Sequence, residues 1–459
     1  MQYLSILDLF TTPVFFILIY FISRFYAKGK VEKYPYYKYY VPGVMMKCIG
    51  GVSLCLVYCL YYGGGDTTGY FFNALCMKYL LLKNPSYFYD VMFHYAGKDQ
   101  WFYFDNDTNY PYYLGDPPAF FVVRLISPVI FFCFDSFVLS SLIIGWFSFN
   151  GVWKLFEVMI DQFPKLEKQF AMAIFFVPSV IFWGSGILKD TITLSATGYF
   201  VFSIYQIFFK RQKIFANVLL LFVSVYLILS IKPYIFVGIL PGTLIWLLGV
   251  TLGKIRGTMM RAFFLPILLI VMIGGGFGVL LFMSDSLSAY SLDSILEKAV
   301  DTQQDLKRDY YQGNTFDIGD YDATLSSMLA KAPLAINASL FRPFILEANN
   351  PVMLASSIEN LWILFFTLQV LWRTKVINFF RYIFSEPMLI FCFTFSMFFS
   401  FSVGITTSNF GSLVRYKIPM IPFYMCLLYM INEMARLKKA RDMQEDVVHD
   451  EGYIPSLKN

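Results

Sequence analysis

Long uninterrupted apolar segments constrain this chain more than any other feature. Two of them, LLLFVSVYLILS and FLPILLIVMIGGGFGVLLFM, hold no charged residue, and they approach the length of a helix that crosses the hydrocarbon core of a bilayer. Charged residues make up 15% of the chain, whereas about 25% is usual in soluble proteins. These features predict an all-α fold, a polytopic bundle of transmembrane helices.

Length and hydropathy predict about eleven spans. We expect them near residues 8–26, 42–62, 128–152, 169–185, 190–208, 214–231, 234–252, 262–283, 354–372, 387–404 and 416–433. The apolar segment at 119–147 is too long for one span and is interrupted by Pro128 and Asp135. Its first part is therefore predicted to lie at the membrane interface, and its second part is predicted to cross.

Lysine and arginine residues concentrate in alternate connections between these spans. They lie within residues 24–38, 154–168, 210–213, 254–261, 373–381 and 436–441. The positive-inside rule makes that side cytoplasmic, so the N-terminus is predicted outside and the C-terminus inside. This topology predicts a multi-pass protein located in a bacterial inner membrane.

The same topology divides the chain into four parts. Residues 1–283 form a membrane domain whose first outer segment, 63–118, is rich in aromatic residues of the kind found at membrane interfaces. Residues 284–353 are largely polar and acidic before the chain returns to the membrane, and they predict a small outer cap. C-terminal membrane helices follow at 354–441, and a flexible cytoplasmic tail at 442–459.

Composition also excludes several classes of function. The basic residues are dispersed in short loops, which argues against nucleic acid binding. The chain has two histidines and no C-x-x-C motif among its seven cysteines, so a His-rich metal site is excluded and the cysteines are interpreted as small apolar residues. No metal-ligating residue is predicted.

An acidic residue follows the second predicted span. Asp66 stands in GGGDTTGYFF, where it begins a helix and is expected either to cap it or to act as a general base toward an acceptor hydroxyl. Ionisable groups at the mouths of spanning helices usually mark a site. Asp116, in YLGDPPAFF, is the candidate for a second acidic group, although a turn before proline explains it better.

Each of four predicted outer turns contains a cationic side chain. They are Lys189, Lys232, Arg342 and Arg415. Such a group predicts an anion-binding pocket for a phosphate or pyrophosphate ester. Neighbouring residues complete the predicted substrate site. They are Asp190, which could instead cap the following helix, Glu347 and Tyr416.

The arrangement of these motifs resembles the GT-C class of polytopic glycosyltransferases, including its mannosyl- and aminoarabinose-transferase branches. The resemblance rests on Asp66 after an early span, on a long first outer segment, on PSVIFWGSGILKD and on RYKIP late in the chain. It implies a polyprenyl-phosphate-linked sugar donor, a glycan or lipid acceptor, and Asp66 as the catalytic base. The triplet Asp105-Asn106-Asp107 lies far from Asp66, so a requirement for a divalent metal stays open.

Two other functions remain open at this stage. A polymerase or ligase of O-antigen or exopolysaccharide chains would depend on outer arginines more than on Asp66. A transporter for a lipid-linked substrate would need polar groups near the bilayer midplane, where the sequence offers little besides Lys47.

Overall fold

Helices build the fold throughout the described part of the chain. The computed structural model describes residues 3–94, 97–254, 292–308 and 315–451. Within these ranges the only extended pairing is an isolated bridge between Thr315 and Asn409, so the all-α prediction is confirmed there.

Eleven helices precede the gap at 255–291, and eight follow it. The first set is α1 (Ile6–Val31), α2 (Tyr40–Leu60), α3 (Asp66–Lys83), α4 (Pro85–Phe93), α5 (Pro117–Phe131), α6 (Phe137–Gln162), α7 (Glu167–Phe175), α8 (Pro178–Trp183), α9 (Lys189–Ile204), α10 (Ile214–Ile231) and α11 (Pro233–Lys254). The second set is α12 (Leu292–Asp305), α13 (Leu325–Ala330), α14 (Ala332–Phe341), α15 (Pro351–Thr374), α16 (Val376–Ile383), α17 (Pro387–Thr406), α18 (Phe410–Tyr416) and α19 (Ile421–Glu451).

Seven helices of the described ranges are long and apolar enough to cross a bilayer. They are α1, α2 with the helical turn before it (Pro35–Leu60), α6, α9 with the helical turn after it (Lys189–Lys210), α10, α15 and α17; α18 and α19 add an eighth if this pair, bent by 64°, counts as one span. These helices fit a multi-pass membrane protein. The predicted span at 262–283 lies outside the described residues, and α19 continues to Glu451, through the first part of the predicted tail.

Two predicted spans have different boundaries in the structure. The segment 169–185 is not one helix, because it divides into α7 and the six-residue α8. Pro178 explains the break, since proline lacks an N–H and disfavours helical geometry at the residue before it. The third span is α6 and begins at Phe137, where Ser136 caps it by accepting from the Leu139 N–H at 2.9 Å.

Helices α6 and α9 pack closely against each other. A Cβ atom added to Gly151 would lie 2.1 Å from the Ser195 carbonyl oxygen, and one added to Gly198 would lie 2.1 Å from the Gly151 oxygen. Small residues allow such backbone approach between membrane helices. This contact fixes α9, whose first turn carries Lys189 and Asp190.

The segment predicted as the outer cap packs onto the membrane helices. Helix α14 lies against α17 so closely that a Cβ on Gly404 would approach the Ala335 oxygen to 2.0 Å. Residues 315–321 dock on the connection between α17 and α18, since Phe316 N–H donates to the Ser408 oxygen at 2.8 Å and Tyr321 to the Ile405 oxygen at 2.6 Å. The Phe316 ring also stacks on Phe410, the first residue of α18, so the segment contacts the helix that carries Arg415.

Candidate functional site

A chain of four charged side chains lies at the start of α3 and α9. Asp190 accepts from the Lys232 amine through one carboxylate oxygen and from Arg415 Nε, at 2.7 Å, through the other. Arg415 Nη1 then donates to Asp66 at 2.5 Å. The structure thus brings together Asp66, Asp190, Lys232 and Arg415, which are separated by up to 349 positions in the sequence.

Burial changes steeply along this chain of charges. The Asp190 side chain is 0% exposed and that of Arg415 12%, while that of Asp66 is 48% exposed. Two cations accompany the fully buried carboxylate, as burial of a charge requires. The Asp66 end is therefore the part of the chain of charges that an incoming molecule can reach.

The two predicted capping roles at these helix starts are wrong. Helix α3 begins at Asp66 itself, after Gly65, and Thr68 makes the local hydrogen bonds to the Gly65 backbone. Helix α9 begins at Lys189, and the Asp190 carboxylate contacts side chains from other elements instead. The reason is that a carboxylate forms stronger hydrogen bonds with a guanidinium or ammonium group than with the neutral N–H groups of a helix start.

Asp116 has the structural role that its sequence context also suggested. It caps α5 by accepting from the Ala119 N–H at 3.1 Å. Its charge and that of Asp66 both act on Lys189, as do the charges of Lys232 and Arg415. Lys189 therefore belongs to the same electrostatic neighbourhood, and no ion pair holds it among the described residues.

A cavity of about 510 Å³ opens beside Arg415. Its aromatic walls come from α2, α8 and α18, and its polar lining from the starts of α15 and α18. The main contributors are Tyr58, Tyr62, Trp183, Phe410, Tyr416, Asn350, Ser356, Asn409 and Ser412. Tyr416 also faces the Lys232 amine, 4.9 Å from its ring centre. The cavity is therefore lined by the Arg415 guanidinium together with aromatic rings and amide groups.

Arg342 and Glu347 have a different neighbourhood from the one predicted. They form an ion pair in which Arg342 Nε lies 3.0 Å from one Glu347 oxygen, and the guanidinium stacks on Phe316 and Phe410. The pair does not join the chain of charges around Asp190. Phosphate binding by Arg342 is accordingly not supported by its contacts.

Sequence reasoning missed a second group of buried polar side chains, on α15 and directly after α18. Glu359 of α15 is 6% exposed and accepts from the Ser179 N–H at 2.7 Å and the Ser179 hydroxyl at 2.6 Å. Lys417 is 0% exposed and donates to Asn360 at 2.7 Å. The signal was present, because Glu359 interrupts a predicted apolar span, where ionisable groups usually have a function.

Replacing Glu359 by alanine is expected to lower the free energy of unfolding by about 1–3 kcal/mol, because it leaves two buried donors of Ser179 unpaired. Thermal unfolding in detergent, followed by intrinsic fluorescence, measures this. Glu359→Gln keeps an acceptor and should lose less. Equal stability of the alanine variant and the native protein would contradict this role.

The acidic triplet that left a metal requirement open is paired with a lysine. The triplet at 105–107 pairs with Lys83, whose amine lies 2.6 Å from Asp105. Among the described residues there is no group of three or more His, Cys, Asp or Glu side chains with metal-binding geometry.

The site is defined by three observations: a half-exposed carboxylate, a guanidinium shared with a buried carboxylate, and an adjoining aromatic cavity. Their identification depends on geometry alone. No protein-family model, no curated protein and no solved structure matches this chain.

Proposed function

We propose that this protein is a membrane glycosyltransferase that moves a sugar from a polyprenyl-phosphate donor to a glycan or lipid acceptor. The reaction takes place at the outer face of a bacterial inner membrane, with the N-terminus outside and the C-terminus in the cytoplasm. The observation that carries the proposal is the pairing of a half-exposed Asp66 with Arg415 at the edge of a cavity of about 510 Å³.

The residues divide into two chemical roles. An acceptor hydroxyl attacks the anomeric carbon of the donor sugar, and its proton passes to a carboxylate oxygen of Asp66. The bond from that carbon to the phosphate oxygen breaks, and the phosphate leaves with the electron pair. Arg415, supported by the nearby charge of Lys189, stabilises the negative charge that develops on the leaving oxygen.

The lining of the cavity suits a sugar phosphate. Trp183 and Phe410 supply apolar faces, while Asn350 and Ser356 supply amide and hydroxyl groups. Binding sites commonly combine such apolar walls with a few placed polar groups. Two residues of the site stand at helix starts, since Asp66 begins α3 and Asp190 lies in the first turn of α9. In this proposal the polyprenyl chain lies in the bilayer beside these helix ends.

Replacing Asp66 by asparagine is expected to reduce sugar transfer at least about 100-fold, since a general base contributes that much or more. Asparagine is nearly the same size, so folding should be retained. The measurement is a single-turnover assay in nanodiscs with a panel of radiolabelled polyprenyl-phosphate sugars. Asp105→Asn, at an exposed carboxylate paired with Lys83, is the matched control and should keep native turnover.

Full turnover of the Asp66→Asn variant would overturn the role of Asp66. Absence of product with every donor, in the native protein, would overturn the glycosyltransferase itself. Tight binding of a lipid-linked oligosaccharide without transfer would then favour a transporter, to which the buried Glu359 and Lys417 would be relevant.

One observation favours a polymerase or ligase of polysaccharide chains as the second candidate. Arg415 lines the cavity directly, whereas Asp66 contacts it only through Arg415. In that reaction Arg415→Ala should still reduce turnover about 100-fold or more, whereas Asp66→Asn should harm it much less. In the glycosyltransferase both substitutions reduce turnover about 100-fold or more, so the Asp66→Asn result separates the two enzymes.

A further inference from the structure

The short helix α18, which carries Arg415, is contacted at both of its ends by the turn at residues 342–347. Helix α18 has seven residues, and isolated helices of that length are not stable in water. It is also bent by 64° from α19, which follows it. The position of Arg415 must therefore be set by tertiary contacts.

The first end of α18 is held by the Arg342 side chain. Its guanidinium carbon lies 5.4 Å from the ring centre of Phe410, the first residue of α18, and 4.9 Å from that of Phe316. The two rings are themselves stacked, with centres 5.1 Å apart. Glu347 holds the guanidinium through Nε at 3.0 Å, so its plane is fixed against this aromatic pair.

The second end of α18 is held by the Arg342 backbone. Lys417, which follows the last residue of α18, donates from its buried amine to the Arg342 carbonyl oxygen at 3.3 Å. The same amine donates to Asn360 at 2.7 Å. Asn360 in turn donates to the Pro343 carbonyl oxygen at 3.3 Å, which closes a buried network around the turn at 342–347.

We propose that Arg342 is a positioning residue: its side chain holds the first end of α18, its carbonyl oxygen accepts from Lys417 at the second end, and Arg415 is thereby set between Asp66 and Asp190. Arg342 acts through α18 and not on the substrate. Its effect on turnover rests on the proposed function, whereas its effect on the position of α18 does not. Lysine cannot replace it, because an ammonium lacks the planar face that stacks on the rings and the fork that binds Glu347.

The position of α18 can be measured without any assay of activity. Spin labels at Ser412→Cys, on α18, and at Ser86→Cys, exposed on α4, report their separation by pulsed electron resonance after Cys59→Ser removes the half-buried thiol. Arg342→Gln is expected to broaden or shift the distance distribution. Arg308→Gln, which removes an exposed pair of the same segment, is the matched control and should leave the distribution native.

The rate of sugar transfer by the Arg342 variants is the second measurement. If the positioning role is right, Arg342→Gln also lowers kcat by up to about 100-fold, because small displacements of a reacting group are costly, while substrate affinity changes little. Arg342→Lys should displace α18 in the same direction, and it decides the matter should Arg342→Gln fail to fold. A native distance distribution in the variant that folds would overturn the proposal, whatever its turnover.

The two proposals fail in different ways. If the native protein transfers no sugar but the distances change in the Arg342 variants, the proposed function is wrong and the positioning role stands. If the native protein transfers sugar and the distances do not change, Arg342 has no positioning role and the proposed function stands.

Discussion

Replacing Arg415 by alanine is expected to reduce sugar transfer by about 100- to 1,000-fold, since one preorganised donor to a developing anion is worth about that factor. The substitution removes the residue that joins the buried Asp190 to the half-exposed Asp66. The leaving phosphate loses its cation, and Asp66 loses the contact that orients it. The same single-turnover assay measures the loss.

Two variants make this result specific. Arg415→Lys should not restore turnover, because one ammonium cannot reproduce the separate Nε and Nη1 contacts to two carboxylates. Arg381→Ala removes an arginine that is exposed on α16 and should retain native turnover. An Arg415→Ala protein with more than a tenth of native turnover would show that the guanidinium does not support the reaction.

Replacing Asp190 by asparagine is expected to lower the free energy of unfolding by about 3–5 kcal/mol, the usual result of removing one member of a buried ion pair. Asp190 is 0% exposed and Lys232 is 5% exposed. The variant leaves the Lys232 amine and the Arg415 guanidinium close together without the carboxylate that separates their charges. Thermal unfolding in detergent or nanodiscs measures the loss of stability.

A second substitution tests whether the ion pair causes the loss. Adding Lys232→Met to Asp190→Asn removes one of the two uncompensated cations, so the double variant should be more stable than the single one. Asp135→Asn is the matched control at a surface pair with Lys78, where the expected change is about 0–1 kcal/mol. A double variant less stable than Asp190→Asn would contradict the assignment.

The helical fold could be predicted because it depends on local pattern. Apolar length alone predicts the helices that became α1, α10 and α17, since a helix in lipid satisfies its own backbone hydrogen bonds. The broken segment at 169–185 was not predicted, although Pro178 was visible. Hydropathy averages over a window and does not register a single missing N–H, and the break is stabilised by a distant partner, Glu359.

The grouping of charges was partly predictable for the same kind of reason. Asp66, Lys232 and Arg415 all stand at span ends on one predicted side, so their convergence follows from topology. Arg342 stands at a similar place, yet it pairs with Glu347 five positions later. The pairing of cations with carboxylates depends on how helices far apart in sequence are rotated relative to one another. That rotation cannot be deduced from a single sequence.

The contact between α6 and α9 has a consequence for how this site can move. Because the Gly151 and Gly198 backbones approach closely, we expect α6 and α9 to shift together, with Asp190 as the stationary partner of its ion pairs. Arg415 stands on a helix of seven residues with a bend after it. Opening and closing of the site is then a displacement of the cation toward or away from a stationary anion, so a labelled α18 reports it and a labelled α9 does not.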